Sequence, residues 1–177
     1  VKGINLLGLV KVLRSVRKKR PLAGLSPAAE LMLGEQILVS DWYPYSVFIE
    51  LMEVTFREVL RRDEDHAREM GIAGGRQAVA GLHRQFVKPG DPGASLLAMR
   101  LAWRVYFDFG ELTAHRDGPN AVRFVTVGYR DMPPVHGQMI VGWHMGTALE
   151  AGAVQVDYEI IEAPWRGAFR LEHRISY

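Results

Sequence analysis

Apolar residues recur every three or four positions along the first two thirds of the chain and every second position near its end. Leu6, Leu9, Val10, Leu13 and Val16 predict a helix over 3–19. Pro21 and Gly24 stop it, and Ser26-Pro27 opens a short second helix, the serine as N-cap and the proline in the first turn. After the turn at Ser40 to Pro44, the spacing of Phe48, Leu51, Met52, Thr55 and Val59 predicts a helix over 44–61, with Glu50, Glu53, Arg57 and Glu58 turned elsewhere. The mixed charges from Arg61 to Glu69 read as a solvated surface. Gly71, Gly74 and Gly75 read as an interruption of the helical pattern, which resumes with Val79, Leu82 and Phe86. Asp91 and Pro92 open a further helix carrying Leu96, Met99, Trp103 and Tyr106 on one side.

From Gly110 the period changes to two. Asp117-Gly118-Pro119-Asn120 joins candidate strands 108–116 and 120–129 into a hairpin. Met132-Pro133-Pro134 breaks the chain before a helix over 136–150, and Gly152 stands where a helix C-cap glycine belongs. That helix is apolar on both sides, Val141, Met145, Ala148 and Leu149 on one and Met139, Trp143 and Gly146 on the other, so it belongs between two layers. Gly142 and Gly146 would let another backbone come close. Strand 153–161 alternates Val154, Val156, Tyr158 and Ile160 with polar residues. Strand 167–177 alternates Phe169, Leu171, His173, Ile175 and Tyr177 with Arg170, Glu172, Arg174 and Ser176. The expected fold is α+β: one domain over 1–177, with a basic N-terminal helix (1–20), a helical layer (26–107), and a roughly four-stranded antiparallel sheet crossed by one helix (108–177).

Composition narrows the functions available. The chain has 177 residues and no cysteine, which removes disulfides and thiolate metal sites. No apolar run reaches the roughly 20 residues that span a bilayer, and no secretory pattern opens the chain, so the cytoplasm is the expected compartment. Seven of the 22 basic residues (Lys2, Lys11, Arg14, Arg17, Lys18, Lys19 and Arg20) precede the first acid, Glu30. The remainder carries more acid than base, so no nucleic-acid binding is expected of it. The basic helix has two readings: compensation of its own dipole, or contact with an acidic partner or anionic membrane surface.

Catalytic patterns are missing. Gly71 to Gly75 fits neither phosphate-loop spacing, and no Gly-x-Ser-x-Gly occurs. His136 and His144 are eight apart and miss the i, i+4 spacing of a helical metal site; His173 points with the apolar face of its strand and reads as a core histidine. Glu150, Glu159 and Glu162 have no identifiable perturbing environment. An enzyme is therefore not expected, and no cofactor. What remains is aromatic. Among residues clustered where helices meet sheet, Trp103, Tyr106, Phe107 and Trp143 are candidate walls of an apolar pocket, with Phe48 and Phe86 nearer its edge.

Several stretches taken in order carry a resemblance: Lys2-Gly3, Ser40 to Phe48, Phe86 to Pro92, Trp103 to Gly110, Val141-Gly142-Trp143, Ala148 to Ala153, and the ending around Gly167. Together they resemble bacterial, notably myxobacterial, proteins. These are related to a superfamily of vinyl-reductase-type small-molecule-binding domains, haem–nitric-oxide-binding domains and a Golgi transport-tethering subunit family. The resemblance implies a helical layer followed by an antiparallel sheet crossed by a helix. It also implies either a ligand (an aromatic effector, a haem or an acyl chain) between the layers, or a role as an assembly platform. Three departures qualify it. Ala163 and Leu171 stand where relatives around Gly167 carry metal-binding cysteines, the Tyr-x-Ser-x-Arg motif of the haem branch is missing, and no cysteine is available for acylation. The reading is a non-enzymatic, metal-free and haem-free sensor or adaptor for a small hydrophobic ligand. The alternative is a protein–protein assembly domain, with a protein partner or a second copy, whose pocket its own side chains fill.

Overall fold

A computed structural model describes all residues 1–177. Its elements are α1 (Gly3–Arg17), α2 (Pro27–Gly34), α3 (Tyr45–Glu58), α4 (Glu64–Ala80), α5 (Pro92–Tyr106), β1 (Glu111–Arg116), β2 (Ala121–Val127), α6 (Pro134–Glu150), β3 (Asp157–Glu162) and β4 (Arg170–Ser176). Short 3-10 turns lie at Arg84–Phe86 and Pro164–Arg166. The α+β class holds, with helices first and a four-stranded antiparallel sheet of order β1-β2-β4-β3. The chain divides into two compact units: Val1–Asp63 with Val105–Asp108, and Glu64–Arg104 with Phe109–Tyr177. Helix α4 and most of α5 belong to the same unit as the sheet.

In the first unit α1, α2 and α3 bury Leu6, Leu13, Leu33, Leu51 and Met52 among themselves. Arginines close the helix ends. Arg14 donates from Nε to the Leu33 carbonyl at 2.7 Å and from Nη2 to the Glu35 carbonyl, taking up acceptors that the end of α2 leaves open. Arg17 pairs with Glu30 at 3.0 Å and Arg20 with Glu58 at 2.8 Å. Ser26 caps α2 as expected, accepting from the Ala29 amide at 3.2 Å. Val59 lies outside α3 and is 38% exposed; Val47 and Val54 complete the buried stripe instead.

The second unit corrects the reading of the glycines. Helix α4 runs unbroken through Gly71, Gly74 and Gly75, because two of them are where α6 presses in. A Cβ on Gly71 would lie 2.3 Å from the Met139 carbonyl oxygen, and one on Gly75 would lie 2.3 Å from that of Trp143. The contact is reciprocal: a Cβ on Gly142 would meet the Arg68 carbonyl at 2.0 Å, and one on Gly146 the Ile72 carbonyl at 2.3 Å. The close approach expected at Gly142 and Gly146 is therefore real, and its partner is the segment whose glycines suggest an interruption. The other side of α6 covers the sheet, where Val122, Phe124, Leu171, His173 and Ile175 are fully buried.

The strand ends also differ from expectation. β3 begins at Asp157, and Val154 and Phe169, assigned to buried faces, are exposed. β3 is an edge strand bonded only to β4, so its upstream residues have no ladder to join. On the outer face Glu172 is only 7% exposed, because Arg123 and Arg170 bind it at 2.7 Å each. Asp91 caps α5 through the Ala94 amide, and Gly152 ends α6 at φ +104, a left-handed conformation that suits glycine.

Candidate functional site

The six aromatic candidates fall into three groups. Phe48 and Phe107, both buried, meet edge-on in the first unit with ring centroids 6.4 Å apart. Tyr106 shares that unit; its carbonyl accepts from the Lys2 amide at 2.9 Å, and burial pushes its phenol up to about 12. In the second unit Trp103 sits edge-on to Tyr129 at 5.6 Å, and the Tyr129 hydroxyl donates to the Phe109 carbonyl at 2.9 Å. Phe86 and Trp143 form the third group, flanking the His83 ring at 5.8 and 6.2 Å. Together with Val87 and Ala98 they lie half-buried against the closed apolar patch of Val79, Met99 and Ala102. Of the six, only Phe86 and Trp143 are partly exposed beside this apolar patch, with the buried His83 ring between them.

A cavity of about 390 Å³ lies elsewhere in the second unit, at the hairpin end of the sheet, and polar residues predominate among those that line it. Asp117, Asn120, Asp157, Arg174 and Tyr177 contribute to its wall. Asp117 accepts from Arg123 and Arg174 at 2.9 and 3.0 Å, and the hydrogen bond from Arg123 is the main force holding its carboxyl below the usual range.

The histidines make an arrangement that spacing within one helix does not disclose. His144 on α6 and His173 on β4 are fully buried, and His144 Nδ1 lies 2.9 Å from His173 Nε2. Both rings lie nearly parallel to Phe124 on β2, His144 at 3.8 Å and His173 at 5.1 Å between centroids. A hydrogen bond between two imidazoles needs one donor and one acceptor nitrogen, which neutral rings supply. The outer nitrogens, His144 Nε2 and His173 Nδ1, have no hydrogen-bond partner. Burial pushes His136 and His173 down to about 3, and burial followed by the neighbouring His173 holds His144 well below its ordinary value. General acid–base work near neutral pH needs a pKa near the working pH, and these rings lie far from it. The signal that could have found the pair is His144's own place in the apolar stripe with Val141, Met145 and Ala148, facing a strand whose apolar side carries His173.

The carboxylates named from sequence are dispersed. Glu150 faces Arg76 at 3.4 Å, Glu162 binds Arg170 at 2.8 Å, and Glu159 is on the exposed sheet face. Ala163 and Leu171 are fully buried, and no three His, Asp or Glu side chains gather as a metal site would require.

No protein-family model matches the chain, and no curated protein matches it significantly. Solved structures do. An H-NOX protein from S. oneidensis in the Fe(II)NO ligation state aligns with a TM-score of 0.69 and 12% identity, over 99% of this chain and 98% of that one. An oxygen-binding H-NOX domain related to soluble guanylate cyclases aligns with a TM-score of 0.65 and 14% identity, over 99% and 94%. A mutant of the H-NOX protein from T. Tengcongensis aligns with a TM-score of 0.64 and 15% identity, over 99% and 97%. The chain therefore has the fold of the haem–nitric-oxide-binding domains along its whole length, one of the branches in the resemblance drawn from sequence.

None of the six histidines is placed to reach a haem iron. Haem iron needs an axial side chain aimed into space that a porphyrin can occupy. His144 and His173 are spent on each other within a ring stack, His136 is closed in edge-on to Tyr129, and His83 is closed in between Phe86 and Trp143. His66 and His115 are exposed at the surface, without an apolar enclosure.

Proposed function

We propose that this chain is a non-enzymatic sensor or adaptor domain that takes a small hydrophobic ligand without haem or metal. The observation that carries the reading is the half-buried aromatic pair Phe86 and Trp143 on the apolar floor of Val79, Met99 and Ala102. A partly exposed tryptophan beside closed apolar residues is what a ligand-facing wall presents. The fold adds support, since domains sharing it are described as binding haem and oxygen and as related to soluble guanylate cyclases. Native mass spectrometry beside the spectrum of the denatured chain tests it. A mass lost on denaturation, and missing from Trp143→Ala that still folds, supports the proposal. A bare native mass together with no thermal stabilisation by any apolar probe refutes it.

The second reading is an assembly domain whose aromatics fill their own space. It is favoured by Phe48, Phe107 and Trp103, each about 5–6% exposed and in direct ring contact with a neighbour. A bare native mass at an integer multiple of the chain would favour this reading.

A further inference from the structure

The basic helix does not present all its charge outward. Lys2 donates from Nζ to the Ser40 carbonyl at 2.7 Å and lies 4.2 Å from the centre of the Trp42 ring. Arg14 binds the end of α2, Arg17 binds Glu30, and Arg20 binds Glu58. That leaves Lys11, Lys18 and Lys19, all exposed and none in an ion pair. Lys11 shares one face of α1 with Ile4 and Leu7, at the three- and four-residue spacing that aligns side chains along a helix, and Lys18 and Lys19 lie in the turn that follows the helix. Ile4 and Leu7 are 38% and 39% exposed.

The loop after α2 extends this face with apolar groups. The Gly3 amide donates to the Asp41 carbonyl at 2.9 Å, and Lys2 and Trp42 form an isolated antiparallel bridge. Gly3 sits so close to the loop that a Cβ there would lie 2.1 Å from the Leu38 carbonyl. This fastens Leu38, Val39 and Trp42, 44–52% exposed, beside the first turn of α1. The result is a surface with aliphatic side chains and a tryptophan at one end and three unpaired lysines at the other, where Glu30 and Glu58 are held by Arg17 and Arg20.

We propose that this face of α1 with the 38–42 loop docks on an anionic lipid bilayer. Tryptophan and aliphatic groups partition into the headgroup region, while lysines without internal partners meet lipid phosphates. A nucleic acid would use the lysines but would gain nothing from exposed Ile4, Leu7 and Leu38. This proposal stands independently of the ligand reading.

The test is sedimentation of the full chain with vesicles of phosphatidylcholine alone and of phosphatidylcholine with phosphatidylglycerol, at low and high salt. Retention is expected on the anionic vesicles only, and salt should release it. The triple variant K11E/K18E/K19E should weaken retention by about a hundredfold or more, given the contribution of each lysine near a charged membrane. Its circular dichroism should be unchanged, because all three positions are exposed. Leu7→Asn with Trp42→Ser should also weaken retention at unchanged charge. No retention on anionic vesicles at low salt overturns the proposal, as does equal retention on phosphatidylcholine alone. Retention unaffected by the lysine reversals, or lysine-dependent binding of an RNA oligonucleotide without vesicle binding, overturns it too.

Discussion

Each of the two units is packed within itself, and by opposite means. In the first, long arginine side chains reach across to carbonyls and carboxylates at helix ends, so contact is made at a distance by flexible groups. In the second, α4 and α6 touch backbone to backbone through glycines, and polar groups beneath α6 are closed off from water. Flexible contacts absorb substitution, whereas interlocked backbones have nothing that can move aside. The second unit should thus be the intolerant one, and the first the one open to surface change.

The largest effect that would sharpen this contrast is expected at Gly142→Ala. Ordinary overpacking costs about 1–3 kcal/mol, but here the added carbon meets a helix backbone, so loss of cooperative folding of the second unit is expected in urea denaturation. Trp103→Ala should destabilise by about 3–5 kcal/mol as a buried truncation, measured by the shift in denaturation midpoint. A much smaller loss would mean that the site is already loosely packed.

Acid should separate the units next. The buried imidazoles of His136, His144 and His173 have folded pKa values below the ordinary 6.5. As pH falls below about 6.5 the unfolded chain binds protons that the folded one refuses, at His136 and His173 until about 3, so stability falls over that interval. Urea midpoints at stepped pH should show this slope, and replacing His144 and His173 together with Phe and Leu should flatten it. Arg14→Ala should cost only about 1.5 kcal/mol, the value of hydrogen bonds from a charged donor, again read from the denaturation midpoint. Smallest is Gly74→Ala: this position has open space around it, so replacing a glycine inside a helix should stabilise by up to about 1 kcal/mol. A destabilisation there would break the distinction between lodged and free glycines.

Much of this architecture is legible in the chain. Period-two alternation announces β4, the Asp117 to Asn120 turn announces the hairpin, and a helix apolar all round announces the layering of α6. The glycines of α4 mislead because a glycine that breaks a helix and one that admits a neighbour look the same until the neighbour is known. Gly142 and Gly146 carry the matching half of that signal 71 residues later, Gly71 to Gly142 being the equivalent step. The His144–His173 pair is hidden for a similar reason, since it joins a helix to a strand and spacing rules operate within one element. The aromatics are identifiable as buried or half-buried groups, but their partition among three clusters depends on tertiary packing that no local period encodes.

The order of strands in the sheet has a consequence for how the chain is made. β4 is the last strand in sequence yet lies between β2 and β3. Until it emerges from the ribosome, the β1–β2 hairpin and β3 have no bonded neighbour in common, and the sheet-facing side of α6 has only part of its floor. At about 5–20 residues per second of synthesis, that apolar helix waits seconds for its cover. The nascent chain is therefore exposed to wrong association late, and a chaperone that shields α6 would act in that interval.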